Sequence, residues 1–261
     1  RRSIMSRADL TFAYAQARLQ ARHGNRPTSA DWNQLEATAD LAAALQVTRN
    51  TSLARWTGRL GARPDIHEIE RRLREEWARA VDEIAEWQPE PWRAAIAWLR
   101  WLPYLKPLDK LARGGHAPAW MREDLVLGPV VAREPLERAA ALRRTALAPL
   151  EAGFAADGNV VDAWLRQWRA LWPGQTTAAA TLEGLLREVA HHARRLEELP
   201  AESGSGDSTQ ALRQRLQFHF RRNPLTSAAT TAFVGLLAMD VQRLRGLLAV
   251  RSLREPAVAV P

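Results

Sequence analysis

The chain has 261 residues, 46% of them hydrophobic and 25% charged, enough apolar material for a sizeable core and too much for a disordered polyelectrolyte. Cysteine is absent, which excludes disulfide staples, thiolate zinc sites and thiol catalysis and fits a reducing cytosol. The formal net charge of +8 is carried almost wholly by arginine, since Lys106 and Lys110 are the only lysines.

Ala, Leu, Arg and Glu dominate, and no stretch sustains the alternation of a strand, so the expected fold class is all-α. Arg1 and Arg2 are followed too soon by Arg7 and Asp9 for an export signal. The first helix is expected from Arg7 to His23, closed by Gly24, with Leu10, Tyr14, Ala17 and Ala21 as its apolar stripe. Short helices are expected over Ala30–Ala37 and Asp40–Thr48, and another from Asn50 or Thr51 to Gly61. A long helix runs from Pro64-Asp65 to Trp87, with Ile66, Ile69, Leu73, Trp77, Val81 and Ile84 on one stripe. Pro89 and Pro91 end it, and Pro91 opens a helix carrying Trp92, Trp98 and Trp101. Pro103, Pro107 and Gly114-Gly115 mark an irregular middle, and the apolar run Leu125–Val131 reads as a short strand or a buried loop.

Helices are expected again over Pro135–Ala148 and over Val160–Trp172, where Val161, Trp164, Leu165, Trp168 and Trp172 share a face, and then over Thr177–Leu199. Pro200–Ser208 has the composition of a flexible linker. A basic helix, Thr209–Arg222, and a final helix, Leu225–Leu253, follow it, and the last six residues read as a loose end. The expected organisation is a helical segment over 1–61, a central body over 62–199, the linker 200–208, and a terminal segment 209–261 that packs back on the body. The uncharged run Asn223–Met239 is shorter than the ~20 apolar residues of a membrane span and contains Thr226, Ser227, Thr230 and Thr231, so it reads as a buried core helix.

The basic charge raises nucleic acid as a partner. The arginines, however, alternate with acids, as in Glu70-Arg71-Arg72-Leu73-Arg74-Glu75-Glu76, which is the pattern of a solvated helix face. An acidic protein surface accounts equally well for the excess. Candidate chemistry is thin. His191 and His192, with Glu188, supply metal-type ligands, yet adjacent residues on a helix point about 100° apart and no third local ligand completes a site. His67-Glu68 lacks the second histidine of a zincin helix, because Arg71 stands four residues on. Phosphate loops and nucleophile elbows are missing, so no catalytic, cofactor-binding or metal residue is assigned, and the chain reads as a non-enzyme. Trp164, Trp168 and Trp172 read as packing residues, while Trp98 and Trp101 are candidate aromatics of an interface.

Two segments carry a family resemblance. Phe12-Ala-Tyr-Ala-Gln-Ala-Arg-Leu-Gln-Ala-Arg-His-Gly24 resembles the opening helix of the C subunit of bacterial and archaeal V/A-type ATPases, whose eukaryotic counterpart is the d subunit; Phe12, Ala13, Tyr14, Ala17 and Arg18 match in register. Asn223-Pro224-Leu225, Ala232-Phe233-Val234 and Asp240–Arg245 resemble that family's closing helix, with Asp240 at its acid and Leu244 and Arg245 at its final pair. Arg243 stands where the family has asparagine, and the residues between the two segments do not align.

The resemblance implies an all-helical, funnel-like body of similar modules seated on the membrane rotor ring. It also implies partners: the D and F proteins of the central stalk and the ring itself, with the chain on the cytoplasmic side and peripheral to the membrane. The implied job is to couple ATP hydrolysis or synthesis to ion transport, without nucleotide, metal or cofactor. A helical adaptor of another complex and an arginine-rich RNA-binding protein are the alternative readings.

Overall fold

The computed structural model describes residues 7–134, 137–155, 157–174, 179–187, 189 and 206–254. Those residues are all-α, with no strand among them. In chain order the helices are α1 (Arg7–Gly24), α2 (Ser29–Ala37), α3 (Leu41–Arg49), α4 (Ala54–Thr57), α5 (Ile66–Glu86) and α6 (Glu90–Trp98). A 3₁₀ turn over Leu99–Tyr104 leads to α7 (Leu105–Ala112), α8 (Ala119–Glu123), α9 (Gly128–Val131) and α10 (Arg138–Leu142). A second 3₁₀ stretch, Ala148–Phe154, precedes α11 (Val160–Ala170), α12 (179–187), α13 (Gly206–Arg222) and α14 (Ser227–Arg254). No helix among the described residues is long and apolar enough to cross a membrane.

Side-chain caps set several helix starts. Thr28 and Asp31 form a reciprocal capping box at α2, the Asp31 carboxylate accepting from the Thr28 amide at 2.7 Å. Asp40 caps α3 through the Ala43 amide, Asp65 caps α5 through the Glu68 amide, and Asn159 accepts from the amides of Val161 and Asp162 at α11.

Two compact units interleave along the chain. The first comprises Arg1–Pro27, Ala80–Ala97 and Trp172–Leu244. Its core is built from Ala15 and Leu19 of α1, Val81 and Ile84 of α5, Phe220 of α13 and a run on α14: Ala228, Ala229, Ala232, Phe233 and Leu236. The uncharged stretch expected to be a core helix is therefore one, and Thr230 inside it is satisfied by donating to Gln88 Oε1 at 2.9 Å.

The second unit comprises Thr28–Arg79, Trp98–Leu171 and Arg245–Pro261. Ile69, Leu73 and Trp77 of α5 are buried as the stripe predicts, and the Trp77 indole donates to Leu99 O at 3.2 Å. Buried arginines fill its polar gaps. Arg138 donates to the carbonyls of Leu111 and Gly115, and Arg251 donates to those of Leu35 and Thr38 at the end of α2.

Several expectations are corrected. On α1 the residues turned inward are Ala15, Gln16 and Leu19; Tyr14 is 50% exposed, and Ala17 and Ala21 are exposed with it. Tyr14, Ala17 and Ala21 of the expected stripe lie on the outer side, because alanine and tyrosine read as apolar on either face; the Leu10 side chain lies outside the described residues. The helix expected over Asn50–Gly61 shrinks to α4, since the Thr51 hydroxyl bonds Thr48 O and the Leu53 amide and holds a turn instead. Thr145 acts likewise, donating to Leu142 O and accepting from the Leu147 amide, and interrupts the helix expected over Pro135–Ala148. Leu125–Val131 is neither strand nor buried loop: Asp124 Oδ1 accepts from the amides of Val126 and Leu127, forming a turn that leads into α9. On α11, Trp164 and Trp168 are buried while Val161 is exposed, and Trp172 lies past the helix end. Gly206–Ser208, read as linker, open α13, whereas 200–205 and the chain end beyond Arg254 lie outside the described residues.

Candidate functional site

The residues that carry the family resemblance lie in the first unit, Arg245 excepted. Asp240, on α14, is 1% exposed and receives two arginines. Arg26, just past the end of α1, lays its guanidinium across the carboxylate with Nε–Oδ2 at 2.8 Å and Nη2–Oδ1 at 2.9 Å. Arg213 of α13 donates to Oδ1 at 2.8 Å. A carboxylate this buried is tolerated only when such donors replace its water, so Asp240 binds three segments of the chain into one network.

A second link lies nearby in the sequence. Gln16 Oε1, on α1, accepts from the Leu225 amide at 3.1 Å. Leu225 has φ +61°, a left-handed conformation that a leucine seldom adopts, and this hydrogen bond helps to hold it there. Asn223 closes α13 by donating its amide side chain to His219 O, and the Thr226 hydroxyl donates to Asn223 O at 2.7 Å while accepting from the Ala229 amide. The Asn-Pro-Leu segment is thus a fixed helix–helix turn, with Pro224 exposed on it.

The same unit holds an aromatic group. His23 stacks on Phe220 with ring centroids 4.7 Å apart, and Phe220 tilts against Phe233 at 5.8 Å. Burial, then the cations Arg26 and Arg221, hold the His23 imidazole below its ordinary pKa, with Asp240 opposing them. Its Nε2 is buried with no hydrogen-bond partner among the described residues.

Of the remaining matched positions, Phe12 is half-buried and Leu244 is fully buried. Arg245 belongs to the second unit, where it pairs with the buried Glu70, which Arg74 also holds. Burial alone would raise the Glu70 carboxyl; the Arg245 and Arg74 guanidiniums outweigh it and keep the group below the usual carboxylate range. Arg74 in turn stacks over the Trp120 ring at 3.9 Å.

The outward positions are Tyr14, Ala17 and Arg18. Arg18 places its guanidinium 5.1 Å from the Tyr14 ring centre and 5.5 Å from that of Trp87, which fixes an aromatic and cationic surface on α1. No protein-family model, curated protein or solved structure matches the chain.

Trp98 and Trp101, expected as interface anchors, are each only 8% exposed. The Trp98 indole donates to Trp164 O at 3.2 Å, and Trp101 meets Tyr104 edge to face, so both are used in internal packing. His191, His192 and Glu188 lie outside the described residues. Among the described residues no group of three or more His, Asp or Glu is placed to hold a metal ion. Sequence reasoning missed Arg26, Arg213 and Gln16, whose partners are distant in the chain and leave no local spacing to read.

Proposed function

We propose that this chain is a non-catalytic coupling subunit of a rotary V/A-type ATPase, joining the central stalk to the membrane rotor ring as the C (eukaryotic d) subunit does. One observation carries the reading. The two segments that resemble that family, at opposite ends of the sequence, fold into one unit and are tied together by Arg26–Asp240 and by Gln16–Leu225. The contacts run through Gln16 and Arg26, beside the matched positions of the opening segment, and two unrelated chance matches have no reason to fold into the same unit.

The role needs a stiff helical body and complementary protein surfaces. The outer face of α1, with Tyr14, Ala17 and Arg18, is the surface assigned to a partner. Tyr14, Ala17 and Arg18 are exposed, and aromatic and arginine side chains are the types that anchor protein interfaces. The stalk proteins D and F and the rotor ring are the partners assigned, with the chain peripheral to the membrane on its cytoplasmic side.

Co-purification tests this. Tagged chain, co-expressed with the stalk proteins D and F and the ring, is expected to hold at least one of them through size exclusion. Tyr14→Ala with Arg18→Glu is expected to weaken that association about tenfold or more, since both anchors are lost. Failure to bind either partner, with all components folded, rejects the reading.

A further inference from the structure

The second unit carries a surface that this role leaves unassigned. A groove of about 640 Å³ opens between the turn before α9 and the stretch from α10 to Ala146. Leu125 stands at its edge, 94% exposed. That exposure is built in. Asp124, itself buried, takes the Val126 and Leu127 amides on Oδ1 and the Tyr104 hydroxyl on Oδ2, while Leu127 is buried beneath. The turn is pinned from below, and Leu125 is presented outward as a fixed knob.

The floor is apolar and already satisfied. Val126, Pro129, Ala140, Ala141 and Ala146 line it, and Thr145 has its hydroxyl engaged with its own backbone. The charged lining is Arg133, Arg144 and Glu137, all exposed. Neither arginine has an ion-pair partner among the described residues, whereas neighbouring Arg143 is matched by Glu151. The groove therefore presents an apolar floor, a leucine knob and an excess of unmatched positive charge.

We infer that this groove docks an acidic amphipathic helix of a partner protein. Its apolar stripe covers the alanine floor and Leu125, and its carboxylates face Arg133 and Arg144. A peptide strand would need a sheet edge and a polyproline segment an aromatic-lined groove, and the lining supplies neither. A helix brings its backbone already hydrogen-bonded, and the alanines allow it close approach. Charge complementarity selects acidic flanks over basic ones.

The test uses the full chain and three labelled synthetic helical peptides of about 18 residues, or five turns. One has a leucine stripe flanked by glutamates, one has the same stripe flanked by lysines, and one has the glutamate composition with its leucines scattered. Fluorescence anisotropy is expected to show the first binding at least tenfold more tightly than either control. Leu125→Ala is expected to weaken it about tenfold, and Arg133→Glu with Arg144→Glu at least as much. Glu137→Gln is expected to tighten it about twofold to fivefold by removing the opposing carboxylate. All four side chains are exposed, and circular dichroism confirms that each variant stays folded. No binding, equal binding of the three peptides, or unchanged binding by Leu125→Ala overturns the inference. So does a dimer of the free chain that Leu125→Asp dissolves in sedimentation, because the groove then holds a second copy of this chain.

Discussion

Taking the Asp240 carboxylate out of water costs several kcal/mol, and Arg26 and Arg213 offset that by supplying three charge-assisted hydrogen bonds. Asp240→Asn keeps the shape and removes the charge, leaving two partly buried guanidiniums facing a neutral amide. Unfolding free energy from urea titration is expected to fall by about 3–5 kcal/mol. A loss under about 1 kcal/mol would mean that the network contributes little. His23 gives a pH signature of its own. Its folded pKa lies below the ordinary 6.5, so the unfolded chain binds the proton more readily. The contribution is therefore fully present above pH 6.5 and declines as the pH falls below it. His23→Phe keeps a ring on Phe220 but cannot titrate. The melting temperature of the parent chain is expected to drop between about pH 7.5 and pH 5.5 by more than that of the variant; identical drops would contradict this account.

At the scale of elements, helix identity was readable because capping residues and the 3.6-residue period are local. Thr28/Asp31, Asp40, Asp65 and Asn159 each mark a start that the structure keeps. Facing was readable only where the stripe is bulky. Ile69, Leu73 and Trp77 leave α5 no choice, while the alanine-rich α1 offers two similar faces and turns inward the one bearing Leu19. The end of α2 at Ala37 was readable, but not what holds it, because its carbonyls are satisfied by Arg251, more than two hundred residues later. The geometry there is a fork: Nε and Nη2 reach Thr38 O and Leu35 O, each at 2.7 Å. Lysine offers three donors from one point on a flexible stem and does not reproduce the planar fork. Arg251→Lys is therefore expected to lose about 2 kcal/mol of stability and Arg251→Met about 2–4, since buried carbonyls are left open. Equal stability of Arg251→Lys and the parent chain would show that only the charge matters.

For the whole molecule, composition alone told the fold class, because a chain so rich in Ala, Leu, Arg and Glu, without strand alternation, has few other ways to satisfy its backbone. The candidate site was half legible. The end motifs pointed to Asp240 and the Asn-Pro-Leu turn, but not to Arg26, Gln16 or Arg213 that fix them, nor to the pinned Leu125, whose exposure depends on Asp124 and Tyr104 beneath it. The net charge of +8 suits an acidic protein and RNA alike, and salt dependence separates the two. Six arginines are engaged internally, at Asp240, Glu70 and the carbonyls held by Arg138 and Arg251, and the net positive charge gives the chain a positive field. Such a field steers an acidic protein partner toward the chain and is screened once the Debye length falls to a few ångströms. In surface plasmon resonance against the stalk proteins, the association rate is expected to fall about tenfold between about 0.05 and 0.5 M NaCl, with the dissociation rate changing far less. RNA binding would instead give an affinity falling steeply and linearly in log salt, with a slope set by the phosphates neutralised. A steep slope with RNA, together with no salt-sensitive association with the stalk proteins, would overturn the assignment of a protein partner.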